Sequence, residues 1–313
     1  MTEEKCEFKT SIGGQALIEG ILMRGPDKQA IVCRTPEGIE EKTEDIVPLK
    51  EKHPIFTKPF LRGIAVLFAS LQHGMNALTF SASLQTAETE ESSKFEKWLG
   101  EKLGVKKTEK LFMALALIIG LFLAIFLFTF LPTFISGLFP IIGKNLFLRS
   151  FAEGVLKLII FFLYLYACSK LPDMQRVFGY HGAEHKSIFC YENCEELTVE
   201  NVRKQSRFHP RCGTSFLIVV IILGIFLGFL IRFQNTLIRI LFRILLLPIL
   251  VGIAYEINHW VGANSEKPLA KILSAPGKFL QRLTTNEPDD EMIECAILAL
   301  KRVIPAESGK DAW

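Results

Sequence analysis

The sequence predicts an α-helical, multi-pass membrane protein of about four transmembrane helices, with a small β-rich amino-terminal portion in the cytoplasm and a carboxy-terminal amphipathic helix. Three observations lead there. Half of the 313 residues are hydrophobic and the mean hydropathy is +0.30, more apolar than a soluble domain of this size. Apolar windows close to the ~20 residues needed to cross a ~30 Å hydrocarbon layer recur at Leu111–Leu131, Phe151–Cys168, Phe216–Ile231 and Leu237–Tyr255. Lys and Arg crowd the stretch from Lys94 to Lys110, the loop from Lys170 to Arg211 and the tail after Tyr255, against Lys144, Arg149 and Arg232 in the other two turns. That asymmetry puts both termini and the long middle loop in the cytoplasm.

The chain then divides into a β-rich cytoplasmic region (1–58), an interfacial or re-entrant helix with a charged linker (59–110), a four-helix membrane domain (111–258) carrying a cytoplasmic loop (170–213), and a cytoplasmic helical tail (259–313). In the first region, Pro36, Glu37 and Gly38 make a tight connection between the β-favouring runs Ala30–Thr35 and Ile39–Val47, which predicts a small antiparallel sheet. Pro59–Gln85 is apolar but has Gln72, His73 and Asn76 at its centre, too polar for a span. Glu88–Lys110 reads as a solvated helix or linker.

The first span continues past Pro132 to Ile142 with Gly137 and Pro140 as breaks, which is either one kinked helix or a span plus a short interfacial piece. The charged Glu153, Lys157, Arg239 and Arg243 lie near span ends, where long side chains can reach the headgroups. In the tail, Asn286–Asp290 starts a helix with Pro288 in its first turn, and Met292, Ile293, Ala296, Ile297 and Leu300 repeat at helical spacing. That face is expected to pack on the sheet or the middle loop. The Met1 end carries no pattern of a removable signal, so the first span serves as insertion signal.

A net charge of +3 is accounted for by the flanking Lys and Arg, and no nucleic-acid partner is implied. The partner is the lipid bilayer; a homo-oligomer could supply further polar groups, and no protein partner is named by any motif. The cysteines Cys6, Cys33, Cys168, Cys190, Cys194, Cys212 and Cys295 fall on the cytoplasmic side or in a span, and are expected as thiols or metal ligands.

Chemistry concentrates in the middle loop. From Pro172, "DMQRVFGYHGAEHKSIFCYE" has helical spacing, so His181 and His185, four residues apart, share a face with Glu184. Two histidines at that spacing chelate a divalent transition metal, zinc by donor type, and H-x-x-E-H is the order in which the glutamate activates water. The plain alternative is a pair of buried, hydrogen-bonded histidines on an apolar helix face. Glu256, an acid at the end of the fourth span, is a candidate third metal ligand, with His259 one turn on; alternatively it is an interfacial acid. A rival Cys₃His set would use Cys190, Cys194, His209 and Cys212, with wider spacing than a zinc knuckle. Gly13–Pro26, "GGQALIEGILMRGP", lacks phosphate-loop spacing; Glu19 and Arg24 are its charged candidates, and tight turns around a sheet are the simpler reading.

The blocks "GGQALIEGILMRGP", "FGYHGAEHKSIFCYE", "LTVENVRKQSRFHPRCGTSFL", "AYEINHWVG" and "APGKFLQRLTTNEPDDEMIECAILALK" resemble, in order, those of the YqhQ-like family of bacterial membrane proteins, a domain of unknown function sometimes labelled a metal-dependent enzyme. The resemblance runs from Gly13 to about Lys301. It implies a bacterial inner-membrane protein with a metal site, and its pattern falls on His181, Glu184 and His185, on His209, Arg211 and Cys212, and on Tyr255 and Glu256. Cys190, Cys194 and His259 lie outside that pattern.

The leading expectation is a metal-dependent hydrolase at the cytoplasmic membrane face, with His181, His185 and Glu256 as ligands, Glu184 as general base and His209 orienting substrate or serving as a fourth ligand. The alternative is a non-enzymatic scaffold or small transporter holding a structural metal or a hydrogen-bonded cluster. A docking platform for soluble partners ranks third.

Overall fold

The computed structural model describes residues 8–47, 54–86, 102, 104–139, 145–307 and 309–313. Cys6 and most of the charged linker 88–110 lie outside them, as does the stretch after Phe139 that holds Pro140. The chain forms two compact units, one of residues 1–84, 165–220 and 249–313, the other of 85–164 and 221–248.

The first unit is built on a four-stranded antiparallel meander, β1 (Gly13–Leu17), β2 (Gly20–Arg24), β3 (Lys28–Thr35) and β4 (Gly38–Asp45), in the order β1-β2-β3-β4. The Pro36–Glu37 connection is where the turn residues demand it, with Thr35 opposite Gly38. β2 and β3 are covered on both faces, which is why they read as the runs "GILM" and "AIVC" and not as an alternation. Period-two geometry sends Ile21, Met23, Ala30 and Val32 to one core and Leu22, Ile31 and Cys33 to the other. β4, "GIEEKTED", is an exposed edge whose charges discourage pairing with another chain.

Helix α1 (Leu61–Thr86) brings Ala77, Leu78, Phe80 and Leu84 against the Leu22 face. The Met23 face is covered by α5 (Pro172–Glu192) and α10 (Asp290–Val303). In α10, Met292, Ile293, Ala296, Ile297 and Leu300 are all buried, as their spacing requires. The helix begins later than the Asn286–Asp290 signal suggests: Asp289 is the cap, its carboxylate accepting from the Met292 amide at 2.8 Å, and Pro288 precedes it. Between α5 and α10 run α6 (Val199–Lys204), α7 (Gly213–Gly228), α8 (Thr236–Ala263) and α9 (Pro268–Thr284). The segment before β1 meets the carboxy-terminal residues: Thr10 bridges Ala312, and Trp313 N donates to Lys9 O at 2.9 Å.

The second unit holds α2 (Val105–Ile125), a π-helical turn (Phe126–Phe130), α3 (Leu131–Leu138), most of α4 (Leu146–Cys168) and parts of α7 and α8. The first apolar run is therefore one continuous helical rod to Leu138. Pro132 lacks an N–H and crowds the carbonyl four residues back, and the wider π turn before it relieves both. Among the described residues three helical stretches are long and apolar enough to cross a membrane, Ala114–Leu138, Leu146–Cys168 and Thr236–Ala263; α7 is a shorter apolar helix.

The span charges do not reach outward as expected. Glu153 and Arg239 are both 0 % exposed and paired at 2.8 Å, and Arg149 and Arg243 converge on the same carboxylate. Arg239 also donates to Ile231 O and Phe233 O and to Ser150 Oγ. A buried guanidinium with several acceptors of its own is better satisfied inward than stretched to a headgroup.

Candidate metal centre

Helix α5 starts with Pro172 at its first turn and presents His181, Glu184 and His185 inward. Gly182 makes this approach feasible: a Cβ there would sit 2.1 Å from Asn286 O, in the segment linking α9 to α10. The loop before α7 delivers Cys212. One nitrogen of His181, one of His185 and the Cys212 sulfur lie within 4.8 Å of one another, the one group of metal-capable donors of this kind among the described residues.

The ring orientations are set from outside the group. His181 Nδ1 is 2.7 Å from Thr284 O and His185 Nδ1 is 2.5 Å from Arg207 O. A carbonyl only accepts, so both Nδ1 atoms carry the proton and each Nε2 is turned over to the cluster, the arrangement that outer contacts impose on metal-binding imidazoles. His181 Nε2 lies 3.2 Å from Cys212 Sγ. His185 Nε2 is buried with no hydrogen-bond partner among the described residues, though its ring still polarises the same sulfur. Two imidazole nitrogens and a thiolate, one of them an orphaned buried atom, fit a borderline-soft divalent ion such as zinc.

The electrostatics agree. Burial works against a Cys212 thiolate, yet His185 and His181 hold its pKa well below the usual thiol range. Burial likewise works against charge on His181, but the Cys212 sulfur outweighs it and lifts the imidazole to about 9. Glu184 is pushed up by burial, against the pull of His181 and His185. Its Oε1 accepts from the Gly14 amide at 2.8 Å. Gly14 has to be glycine, since a Cβ would meet Leu22 O at 2.6 Å and Glu184 Cδ at 3.1 Å.

The other sequence candidates stand apart from the three donors. Glu256 is gripped by Arg62, Nε to Oε1 at 2.7 Å and Nη2 to Oε2 at 2.5 Å, and also accepts from Phe60 N. His209 is buried behind His185, ring centres 5.6 Å apart, and its backbone is clamped by both ends of the Gln281 amide. Burial drops its imidazole to about 4. Arg211 pairs with Glu192 and lies 5.3 Å over the Trp313 ring. Glu19, in the β1–β2 turn with φ 48°, is bound by Arg176 of α5, and Arg24 is a half-buried residue at the end of β2. The Cys₃His set is not assembled: Cys190 turns to the carbonyls of Glu195 and Glu196, and Cys194 is disulfide-bonded, contrary to the expectation of thiols throughout. The cysteines 33, 168, 190, 212 and 295 are free. In the sequence Cys212 belongs to the rival Cys₃His set or stands as a separate candidate near the His181 site; its signal is "HPRC" directly before an apolar helix, and nothing local ties it to α5.

Comparison with known proteins agrees with the resemblance read from the motif blocks. Residues 58–306 match the family model described as a protein of unknown function, DUF1385. The chain is 35% identical over 317 residues, 97% of its own length and 95% of the relative's, to the uncharacterized protein YqhQ of Bacillus subtilis (strain 168). No solved structure matches. The chain, with its His181, His185 and Cys212 group, belongs to the YqhQ-like DUF1385 family.

Proposed function

We propose that the protein is a membrane-embedded, metal-dependent hydrolase working at the cytoplasmic face of the bacterial inner membrane, with His181, His185 and Cys212 holding a divalent transition ion, zinc by donor type. The observation that carries this is the pair of main-chain anchors that leave both Nε2 atoms to the cluster, with one nitrogen of each histidine and the Cys212 sulfur within 4.8 Å of one another. Three protein ligands are the number found in catalytic zinc sites, which keep a position open, whereas structural sites close with four. The ion would supply Lewis acidity and bring the pKa of water towards neutrality. Glu184, adjacent to both histidines in α5 and raised by burial, takes and returns the proton, while the Gly14 amide fixes its carboxyl group.

Four crossings and cytoplasmic termini belong to the same proposal. The sheet, α5 and α10 share one core and α9 belongs to the same unit, which supports a common side of the membrane for them and, on that reading, an even number of crossings between any two. Between α5 and α9 lie the six-residue α6, too short to cross, and then α7 and α8, so on this reading α7 crosses if α8 does. Its 16 residues continue through i→i−3 bonds at Phe229, Leu230 and Ile231, which brings the apolar rod to about 30 Å. The Lys and Arg distribution selects the cytoplasm as the shared side.

The test is bound metal measured by elemental mass spectrometry on protein purified without a metal-binding tag, beside a His181→Ala, His185→Ala variant that remains folded. Close to one ion per chain, lost in the variant, supports the reading; Glu184→Gln should then keep the ion and lose turnover. A second reading is favoured by the 3.2 Å contact of His181 Nε2 with Cys212 Sγ, which can satisfy the cluster as an ion-free hydrogen-bonded pair in a scaffold. Protein free of metal under chelator-free handling would select it.

A further inference from the structure

The first unit contains a cavity of about 430 Å³ between the β1–β2 end of the sheet and α1, whose wall includes Gly13, Gly14, Arg24, Ser70, His73 and Arg211. Among the described residues no carboxylate lines it. It is too large for a simple ion and suits a small organic group.

Two arginines on this wall have unused capacity. The Arg211 side chain is only 5 % exposed, and although one end pairs with Glu192, its Nη1 is buried with no hydrogen-bond partner among the described residues. A buried guanidinium nitrogen without an acceptor is costly unless a ligand supplies one. Arg24 is the second: its side chain makes no hydrogen bond or ion pair among the described residues, and burial disfavours its charge. The acids nearby are committed elsewhere, Glu192 to Arg211, Thr10 and His209, and Glu184 to the Gly14 amide. Positive charge therefore exceeds negative charge among the described residues of this wall, and the Arg24 fork together with the one unused Arg211 nitrogen offers donors for phosphate oxygens.

The remaining wall limits what carries the phosphate. Val66, Ala69, Ser70 and His73 of α1 face the cavity, while Phe68 and Leu71 of the same helix are 67 % and 55 % exposed. A polar recess beside an exposed apolar helix face accommodates an amphiphile, head in the recess and tail along the helix. We propose that this cavity binds a phosphate-bearing group, of an anionic phospholipid or of a soluble phosphate ester, between Arg24 and Arg211. The site uses none of the three metal donors, so it stands or falls independently of the hydrolase reading.

The experiment is isothermal titration of the full chain in a neutral maltoside detergent with dihexanoyl phosphatidylglycerol, glycerol phosphate and inorganic phosphate, with dihexanoylglycerol as the phosphate-free control. Saturable binding of a phosphate probe, absent for the control, is expected to weaken about tenfold or more in Arg24→Gln. Arg24 has no hydrogen-bond or ion-pair partner to lose among the described residues, so that variant should melt with the parent, and Arg24→Lys should recover part of the affinity. A His181→Ala variant should bind as the parent does, which separates this site from the metal reading. Affinity for the lipid alone identifies a headgroup, and equal affinity for glycerol phosphate a soluble ester; both support the site. Absence of saturable binding by all three phosphates, or an unchanged affinity in Arg24→Gln, overturns it.

Discussion

Replacing Glu153 by Gln in the second unit should be among the most damaging single-atom changes available to this chain. The carboxylate is fully buried and accepts from Arg239 Nη2 at 2.8 Å and Nε at 3.3 Å, from Arg243 Nη2, and from Ser136 Oγ at 3.2 Å, with Arg149 Nε at 3.4 Å. Three guanidinium groups thus share one acid, and Gln keeps the shape while removing all of the negative charge. Losing one partner of a buried ion pair costs about 3–5 kcal/mol, because the remaining charge is left uncompensated. Here the guanidiniums retain carbonyl and hydroxyl acceptors at Ile231, Phe233, Gln234, Thr133 and Ser150, which places the loss at the low end, about 3 kcal/mol. Reversible unfolding in mixed micelles, monitored by circular dichroism, measures it. Removing Arg243 as well should return part of the loss, since one orphaned cation goes with it. A loss below about 1 kcal/mol for Glu153→Gln, or a purely additive double variant, would show that these arginines are hydrated and that the inward cluster does not hold.

Other outcomes follow from the first unit. Zinc binding near pH 7 should release protons: metal-free His181, lifted to about 9, is protonated there and must give up its proton to bind the ion, so affinity falls as pH falls, read by titration in buffers of differing ionisation enthalpy. Ile293→Ala, at a fully buried position of α10, should cost about 2–4 kcal/mol in chemical denaturation while leaving the metal content of the folded protein intact. Gly14→Ala should destabilise by about 1–3 kcal/mol through its contacts with Leu22 O and the Glu184 carboxyl, and should lower turnover more than metal content. Glu256→Gln should leave metal content unchanged, because Arg62 and not the cluster holds that carboxylate; a loss of the ion would return Glu256 to the ligand set.

Elements whose pattern is local were legible in the chain. The β3–β4 turn, the α10 stripe and the placement of His181, Glu184 and His185 on one helix follow from periods of two and 3.6 residues and from turn chemistry. What was not legible depends on partners far along the chain. Glu256 reads as a ligand because nothing near it in sequence reveals Arg62, 194 positions away, and Cys212 reads as a separate candidate because its approach to His181 is made by the loop before α7. The span charges misled for a related reason: position near a helix end permits an outward reach, but whether a neighbouring helix offers a better acceptor is a tertiary fact. Gly14 and Gly182 were visible as glycines, but the Glu184 carboxyl and Asn286 carbonyl that require them were not.

The anchors of the two imidazoles are main-chain oxygens, those of Thr284 and Arg207. Thr284→Ala or Arg207→Ala leaves each acceptor where it was, so a side-chain scan of the protein is blind to the contacts that aim its donors. Such a scan would return His181, Glu184, His185 and Cys212 and silence at the two positions on which their orientation depends. The aim is encoded instead in the path of the backbone at the end of α9 and before α7, which many different side chains can maintain. Two relatives could differ at every residue of those segments and still hold the same rings at the same angle, and replacing the amide after Thr284 with an ester, which weakens its carbonyl as an acceptor, would disturb the site with no side chain altered.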